Sequence, residues 1–247
     1  MSLTNYNYNS WLKRILYFLT FLEFGIILNP FTGILHFLPY NKKCKCATLQ
    51  LLRHGKTIGV ENNEFMSDTS SNSRLSDKGK EEIKKAANSI ENNIPDVIIV
   101  SNLNRTIETF KILNNNLSCV RKVVYSNKIK GINNSVWAEK KFEMLDESNL
   151  LVFLERECKH NVLVKTQNGD SWADVIYRCA KALKTINRLY SRKKVLLVSQ
   201  GSIFQSFKIL LHTEHTPWDN YSSYKMFNIK KDCSGEAIGY SCLSDLV

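Results

Sequence analysis

The stretch Ala47-Thr48-Leu49-Gln50-Leu51-Leu52-Arg53-His54-Gly55-Lys56-Thr57 decides how this chain is read. Ala47–Leu52 is an apolar run of strand length, and it stops abruptly at an arginine, a histidine and a glycine. The same alternation repeats outward from it. Ser76–Ile90 has helical spacing, with Ser76 as N-cap and Asp77 in the first turn. Asp96–Val100 reads as a buried strand, Leu103–Leu113 as a helix and Val120–Tyr125 as another strand. Ser171–Tyr190 is a long amphipathic helix, Val195–Ser199 a buried strand and Ser202–Leu211 the helix after it. Apolar strands alternating with helices predict an α/β fold, a mostly parallel sheet flanked by helices on both faces. Residues 60–75 and 126–168 show no clear period. In sheets of this class such loops lie at the carboxyl ends of the strands, where ligands bind.

Four further segments follow Arg53-His54-Gly55-Lys56-Thr57 in order. They are Leu75-Ser76-Asp77-Lys78-Gly79, Ser101-Asn102-Leu103-Asn104-Arg105-Thr106-Ile107-Glu108-Thr109, Gly169-Asp170-Ser171 with Arg178, and Val195–Gly201. Together the five resemble the signature of the histidine phosphatases, the phosphoglycerate-mutase-like superfamily, from about Cys46 to about Leu211. A lone Arg-His-Gly is a weak signal, because a histidine after a strand is more often structural. Five segments in the right order on the right elements are a strong one. The resemblance implies a phosphoglycerate-mutase-like three-layer sandwich. It also implies that His54 attacks phosphorus and becomes a phosphohistidine. Arg53 and Arg105 would clamp the phosphoryl oxygens through paired, permanently charged donors. Thr57 would add a hydroxyl donor. No metal or organic cofactor is implied.

The chain departs from that pattern at two positions of consequence. Gln200 stands where the resemblance places a second histidine, and glutamine is a neutral donor that contacts phosphate more weakly. Gly131 falls where the family carries its acid, and Ala138 where it carries a later glutamate. Glu139 or Glu143 could serve only through a shifted loop. A third position, usually an Asn, falls on Val60, with Asn62 and Asn63 nearby. Losing a general acid costs about 10²–10⁴ in rate and losing one preorganised donor about 10²–10³. Two functions therefore stay open. One is a weakened phosphomonoester phosphatase, or phosphoryl-transfer relative, working through phospho-His54. The other is an inactive phosphate-ester-binding or scaffold pseudophosphatase tethered to a membrane. The expected partner is a phosphorylated small molecule or a phosphoprotein.

Composition agrees with an anionic ligand. The formal net charge is +11, spread along the chain rather than held in one run. There is no zinc-finger or RNA-binding signature, so nucleic acid is not expected. Seven cysteines without a C-x-x-C pair argue against a disulfide framework or a structural zinc site, and for a reducing, intracellular compartment.

Residues 1–43 read as an N-terminal extension to a domain spanning 44–247. Residues 15–40 are apolar and long enough to cross a membrane. Glu23 and the break at Asn29-Pro30 leave two pieces too short to cross alone, so an interfacial or re-entrant anchor fits better than a span. A helix packed on the domain and a signal sequence are the other readings. Cys44 and Cys46, beside Lys42, Lys43 and Lys45, are candidates for palmitoylation.

Overall fold

The computed structural model describes residues 7–8, 10–38, 47–66, 73–91, 94–117 and 122–211. Cys44, Cys46 and their lysines lie outside the described residues. In chain order the elements are β1 (Asn7–Tyr8), α1 (Trp11–Leu22), β2 (Ile26–Leu28), β3 (Leu35–Phe37), β4 (Thr48–Arg53) and α2 (Ile58–Glu61). There follow α3 (Asp77–Glu91), β5 (Val97–Ser101), α4 (Asn104–Asn116), β6 (Val123–Ser126) and α5 (Glu147–Phe153). The last are β7 (Val164–Lys165), α6 (Trp172–Leu189), β8 (Lys194–Ser199) and α7 (Gly201–Leu210).

Four strands make one sheet in the order β4-β8-β5-β6, and every pair is parallel. Its three apolar strands obey the two-residue period of a strand. Leu49, Leu51, Val97, Ile99, Val195 and Leu197 pack on one face against α6 and α7. Leu52, Ile98, Val100, Leu196 and Val198 pack on the other, against Ile83, Ala86, Ala87 and Ile90 of α3 and Phe110 and Leu113 of α4. The result is the three-layer α/β sandwich that the alternation predicts. Each layer hides apolar surface that neither a helix nor a strand could bury alone.

Helix starts follow local chemistry. Ser171 and Asp174 form a reciprocal capping box at α6: the Asp174 N–H donates to Ser171 Oγ at 3.1 Å, and the Ser171 N–H to Asp174 Oδ2 at 2.9 Å. Ser76 Oγ accepts from the Gly79 N–H at 3.2 Å and caps α3.

The N-terminal apolar run is not one long helix. It is α1, a turn and the antiparallel β2–β3 hairpin. The hairpin turns at Asn29-Pro30, where Asn29 Oδ1 accepts from the Phe31 and Thr32 N–H groups and Gly33 takes a φ of 71°. Tyr17, Phe21, Phe24, Ile26 and Leu28 enter the same core as α6 and the sheet. Residues 10–38 therefore share a core with the rest of the domain. Among the described residues no helix is long and apolar enough to cross a membrane.

Candidate active site

In a parallel sheet the chain leaves every strand at the same edge, so residues just past adjacent strands meet. β4, β8 and β5 are neighbours. His54 follows β4, Gln200 follows β8, and Arg105 lies in the first turn of α4 after β5. Arg53, His54, Arg105 and Gln200 all line one cavity of about 910 Å³, counting its open mouth. Ile132, Phe65, Met66, Phe153 and Trp172 form apolar walls.

The glycines of two motifs explain how the loop after β4 is held. A Cβ on Gly55 would sit 2.4 Å from the Gly79 carbonyl oxygen, and one on Gly79 only 2.0 Å from that of Lys56. The two backbones touch, and neither tolerates a side chain. Thr109 secures the other side: its Oγ1 accepts from the Gly55 N–H at 3.2 Å and donates to the Arg105 carbonyl at 2.8 Å. Thr106 Oγ1 donates to the Ser101 carbonyl at 2.6 Å, closing the turn that delivers Arg105.

His54 is buried, and its Nδ1 lies 2.8 Å from the Gly55 carbonyl oxygen. A carbonyl only accepts, so Nδ1 carries the proton and Nε2 keeps its lone pair. Burial first, and then the charges of Arg105 and Arg53, hold the imidazole well below its ordinary pKa of 6.5. The ring is thus neutral beside two cations. Gln200 is held at both ends. Ser199 Oγ donates to the Ile129 carbonyl at 2.7 Å and lies 3.0 Å from Gln200 Oε1, while Gln200 Nε2 donates to Ser101 Oγ at 3.3 Å. An amide nitrogen has two protons, which leaves one for a ligand. Gln200 makes no side-chain cap for α7, and Gly201 and Ser202, in the first turn of that helix, line the cavity wall. A helix N-terminus favours an anion.

This is where the family model matches. Residues 49–231 fit the histidine phosphatase superfamily (branch 1). The chain belongs to this superfamily. Solved histidine-phosphatase-like structures share its fold. One is YhfR from Bacillus stearothermophilus, 19% identical, with a TM-score of 0.62 over 70% of this chain and 84% of that one. A phosphoserine phosphatase from Entamoeba histolytica, solved with phosphoserine, is 20% identical, with a TM-score of 0.60 over 75% of this chain and 87% of that one. A phosphoglycerate mutase from Bacillus anthracis str. Sterne is 18% identical, with a TM-score of 0.57 over 69% and 82%. No curated protein sequence matches the chain.

The other residues that the sequence singles out in this superfamily member fall in distinct places. Thr57 stands apart from the four converging residues. Its Oγ1 accepts from the Val60 N–H at 3.3 Å as the cap of α2 and donates to Met66 Sδ at 3.1 Å. It is fully buried, is not among the residues lining the cavity, and its hydroxyl bonds within the loop. Gly131 and Val60 are on the wall; Glu139 and Glu143 are not. A Cβ on Gly131 would lie 3.2 Å from Gln200 Cβ, so the two departures from the family pattern are neighbours. The Gly169-Asp170-Ser171 segment and Arg178 hold the loop that carries Gly131. Arg178 Nη2 donates to the carbonyls of Lys130 and Gly131 at 3.1 and 3.3 Å and to Asp170 Oδ2 at 3.1 Å. Asp170 Oδ2 in turn accepts from the Asn133 N–H at 3.1 Å. Two wall residues, Arg156 and Glu157, went unread in the sequence. They sit within residues 126–168, where no period or motif marks them.

Proposed function

We propose that this protein is a slow phosphomonoester phosphatase working through a phosphohistidine at His54. The observation that carries this reading is His54 itself: a buried neutral imidazole with Nδ1 spent on Gly55 and Nε2 unprotonated, beside Arg53 and Arg105 in one cavity. In the first step His54 Nε2 attacks phosphorus and the ester oxygen leaves. In the second, water attacks phosphohistidine, releasing phosphate and restoring the imidazole. Arg53, Arg105, the spare Gln200 proton and the start of α7 stabilise the equatorial oxygens. Protonation of the leaving oxygen is the weak point. Gly131 supplies no carboxyl group there, so esters with good leaving groups turn over fastest. Aryl and alkyl phosphates assayed on the full chain test this. An aryl preference, with activity lost in His54→Ala and an acid-labile phosphoenzyme trapped in the wild type, is the expected result. Activity that survives His54→Ala would mean that the chemistry lies elsewhere.

A second reading rests on the same cavity. Gln200 tied to Ser101 and Ser199, with glycine opposite, fits a pseudophosphatase that binds phosphate esters without hydrolysing them. Phosphate binding weakened by Arg105→Ala, with no phosphoenzyme formed, is its mark. Charge-assisted hydrogen bonds contribute about 1.5–3 kcal/mol each, so that loss is measurable.

Either protein would dock on a membrane surface through α1. Trp11, Leu12, Ile15, Leu16, Leu19 and Leu22 are exposed on one side of that helix, opposite the buried Tyr17 and Phe21. The net charge of +11 favours an anionic surface. Co-sedimentation of the full chain with vesicles containing phosphatidylserine is the test, and Leu12→Glu with Leu19→Glu should abolish it.

A further inference from the structure

The far wall of the cavity holds a buried ion pair that the phosphoryl-transfer reading does not use. Arg156 and Glu157 lie on a π-helical turn, Leu154–Cys158, that continues α5. Such turns are rare and concentrate at functional sites. Arg156 is 2% exposed and Glu157 3%. Arg156 Nε donates to Glu157 Oε1 at 2.7 Å, and Nη2 to Asn134 Oδ1 at 3.0 Å. The guanidinium stacks on Trp137, its carbon 4.5 Å from the ring centroid. Trp172 Nε1 donates to the Glu157 carboxylate at 3.3 and 3.2 Å. One nitrogen is left over: Arg156 Nη1 is buried and has no hydrogen-bond partner. A guanidinium held this rigidly, with a donor unspent on a cavity wall, is organised for an acceptor that the protein does not provide.

We propose that Arg156 and Glu157 form a specificity subsite for a hydroxyl group of the substrate, which makes the substrate class sugar or polyol phosphates rather than carboxylated phosphoesters. This rests on the reading of His54, Arg53 and Arg105 as the phosphoryl end of the cavity. The argument turns on charge. Arg53 and Arg105 already match a phosphate dianion, whereas the charge of Arg156 is met by Glu157. A carboxylate placed at Nη1 would add a second negative charge to a guanidinium whose charge Glu157 already meets. A hydroxyl fits, because its oxygen accepts from Nη1 and brings no further charge to a guanidinium that Glu157 already neutralises. Phe65, Phe153 and Trp172 on the same wall offer apolar faces to the C–H groups of a sugar or polyol.

The test is equilibrium binding to the full chain carrying His54→Asn, so that no ligand is consumed. The probes are inorganic phosphate, glucitol 6-phosphate and 3-phosphoglycerate. Hydrogen bonds to charged groups predict that glucitol 6-phosphate binds at least about tenfold tighter than either of the others. Replacing Arg156→Gln and Glu157→Gln together keeps the volume and neutralises both charges. It should erase the preference while phosphate affinity stays within about twofold. Tighter binding of 3-phosphoglycerate than of glucitol 6-phosphate would overturn the proposal, and so would a preference that survives the double substitution. If the double variant does not fold, the three-ligand series with the pair intact decides alone. Failure of phosphate itself to bind would remove the phosphoryl-site reading first. Phosphate binding without preference for the polyol ester would remove only the subsite.

Discussion

His54, which carries the chemistry in the proposed mechanism, also costs stability. A neutral imidazole buried beside Arg53 and Arg105 resists protonation, whereas in the unfolded chain it titrates near the ordinary 6.5. The sign follows from linkage. Below pH 6.5 the unfolded state binds a proton that the native state does not, so stability falls as the pH drops from 6.5 towards the depressed native pKa. Thermal unfolding at pH 7.5 and 5.5 should therefore show a larger acid-side loss in the wild type than in His54→Asn. Equal losses would mean that the imidazole is not desolvated. For the same reason the pH profile of any turnover should lack a histidine limb near 6.5. Gln200 yields a second expectation. Gln200→His restores a chargeable donor at the phosphoryl group and should raise turnover about 10²-fold, the usual contribution of one preorganised donor. Adding Gly131→Glu should raise it again, although its Cβ must first displace Ser202 Oγ, 3.1 Å away, by a few tenths of an ångström. Unchanged phosphate affinity with no gain in rate would favour the pseudophosphatase.

At the scale of elements, the site depends on how α3 abuts the loop after β4. Gly79, in the first turn of α3, lies against the Lys56 backbone, and the Ser76 N–H donates to the Lys56 carbonyl at 2.9 Å. Gly79→Ala puts a methyl group where backbone oxygen already is, and backbone cannot rotate away. The expected cost is about 1–3 kcal/mol, typical of an overpacked site. A displacement of about 1 Å at His54 would cost about 10²-fold in turnover. Denaturant unfolding and the aryl phosphate assay read the two effects separately. The element boundaries were largely legible. The amphipathic period placed α6 correctly, and the helices and strands predicted from Ser76 to Leu211 lie within a few residues of those observed. α5 and its π-helical turn were not. Their short apolar stretch, Leu150-Leu151-Val152-Phe153, has no cap signal beyond Asp146 and buries only part of its surface, so its hydrophobic period is weak.

At the scale of the whole molecule, α1 is built into the domain. Tyr17 Oη donates to Asp174 Oδ1 at 2.6 Å, so the residue that caps α6 also anchors α1. Lys184 pairs with Glu23 at the other end of the contact. Phe21 is completely buried, and Phe21→Ala should destabilise the full chain by about 3–5 kcal/mol, read by chemical denaturation. A change near zero would mean that residues 10–38 are a detachable arm. The apolar stretch at 15–40 shows where sequence reading stops. Its hydropathy is the same whether the residues face lipid or α6, because both are apolar surroundings. Only the path of the chain places Tyr17 and Phe21 in the core and leaves Leu12 and Leu19 outside. The site divides in the same way. Sequence alone determined a mostly parallel sheet, the resemblance to the family and four residues that line one cavity, because a parallel sheet brings the loops after its strands to one edge. Tertiary structure decided that Thr57 caps a helix, that Arg178 braces the Gly131 loop, and that Arg156 and Glu157 reach the cavity. Those roles depend on contacts between segments far apart in the chain, and no local period or spacing encodes such contacts.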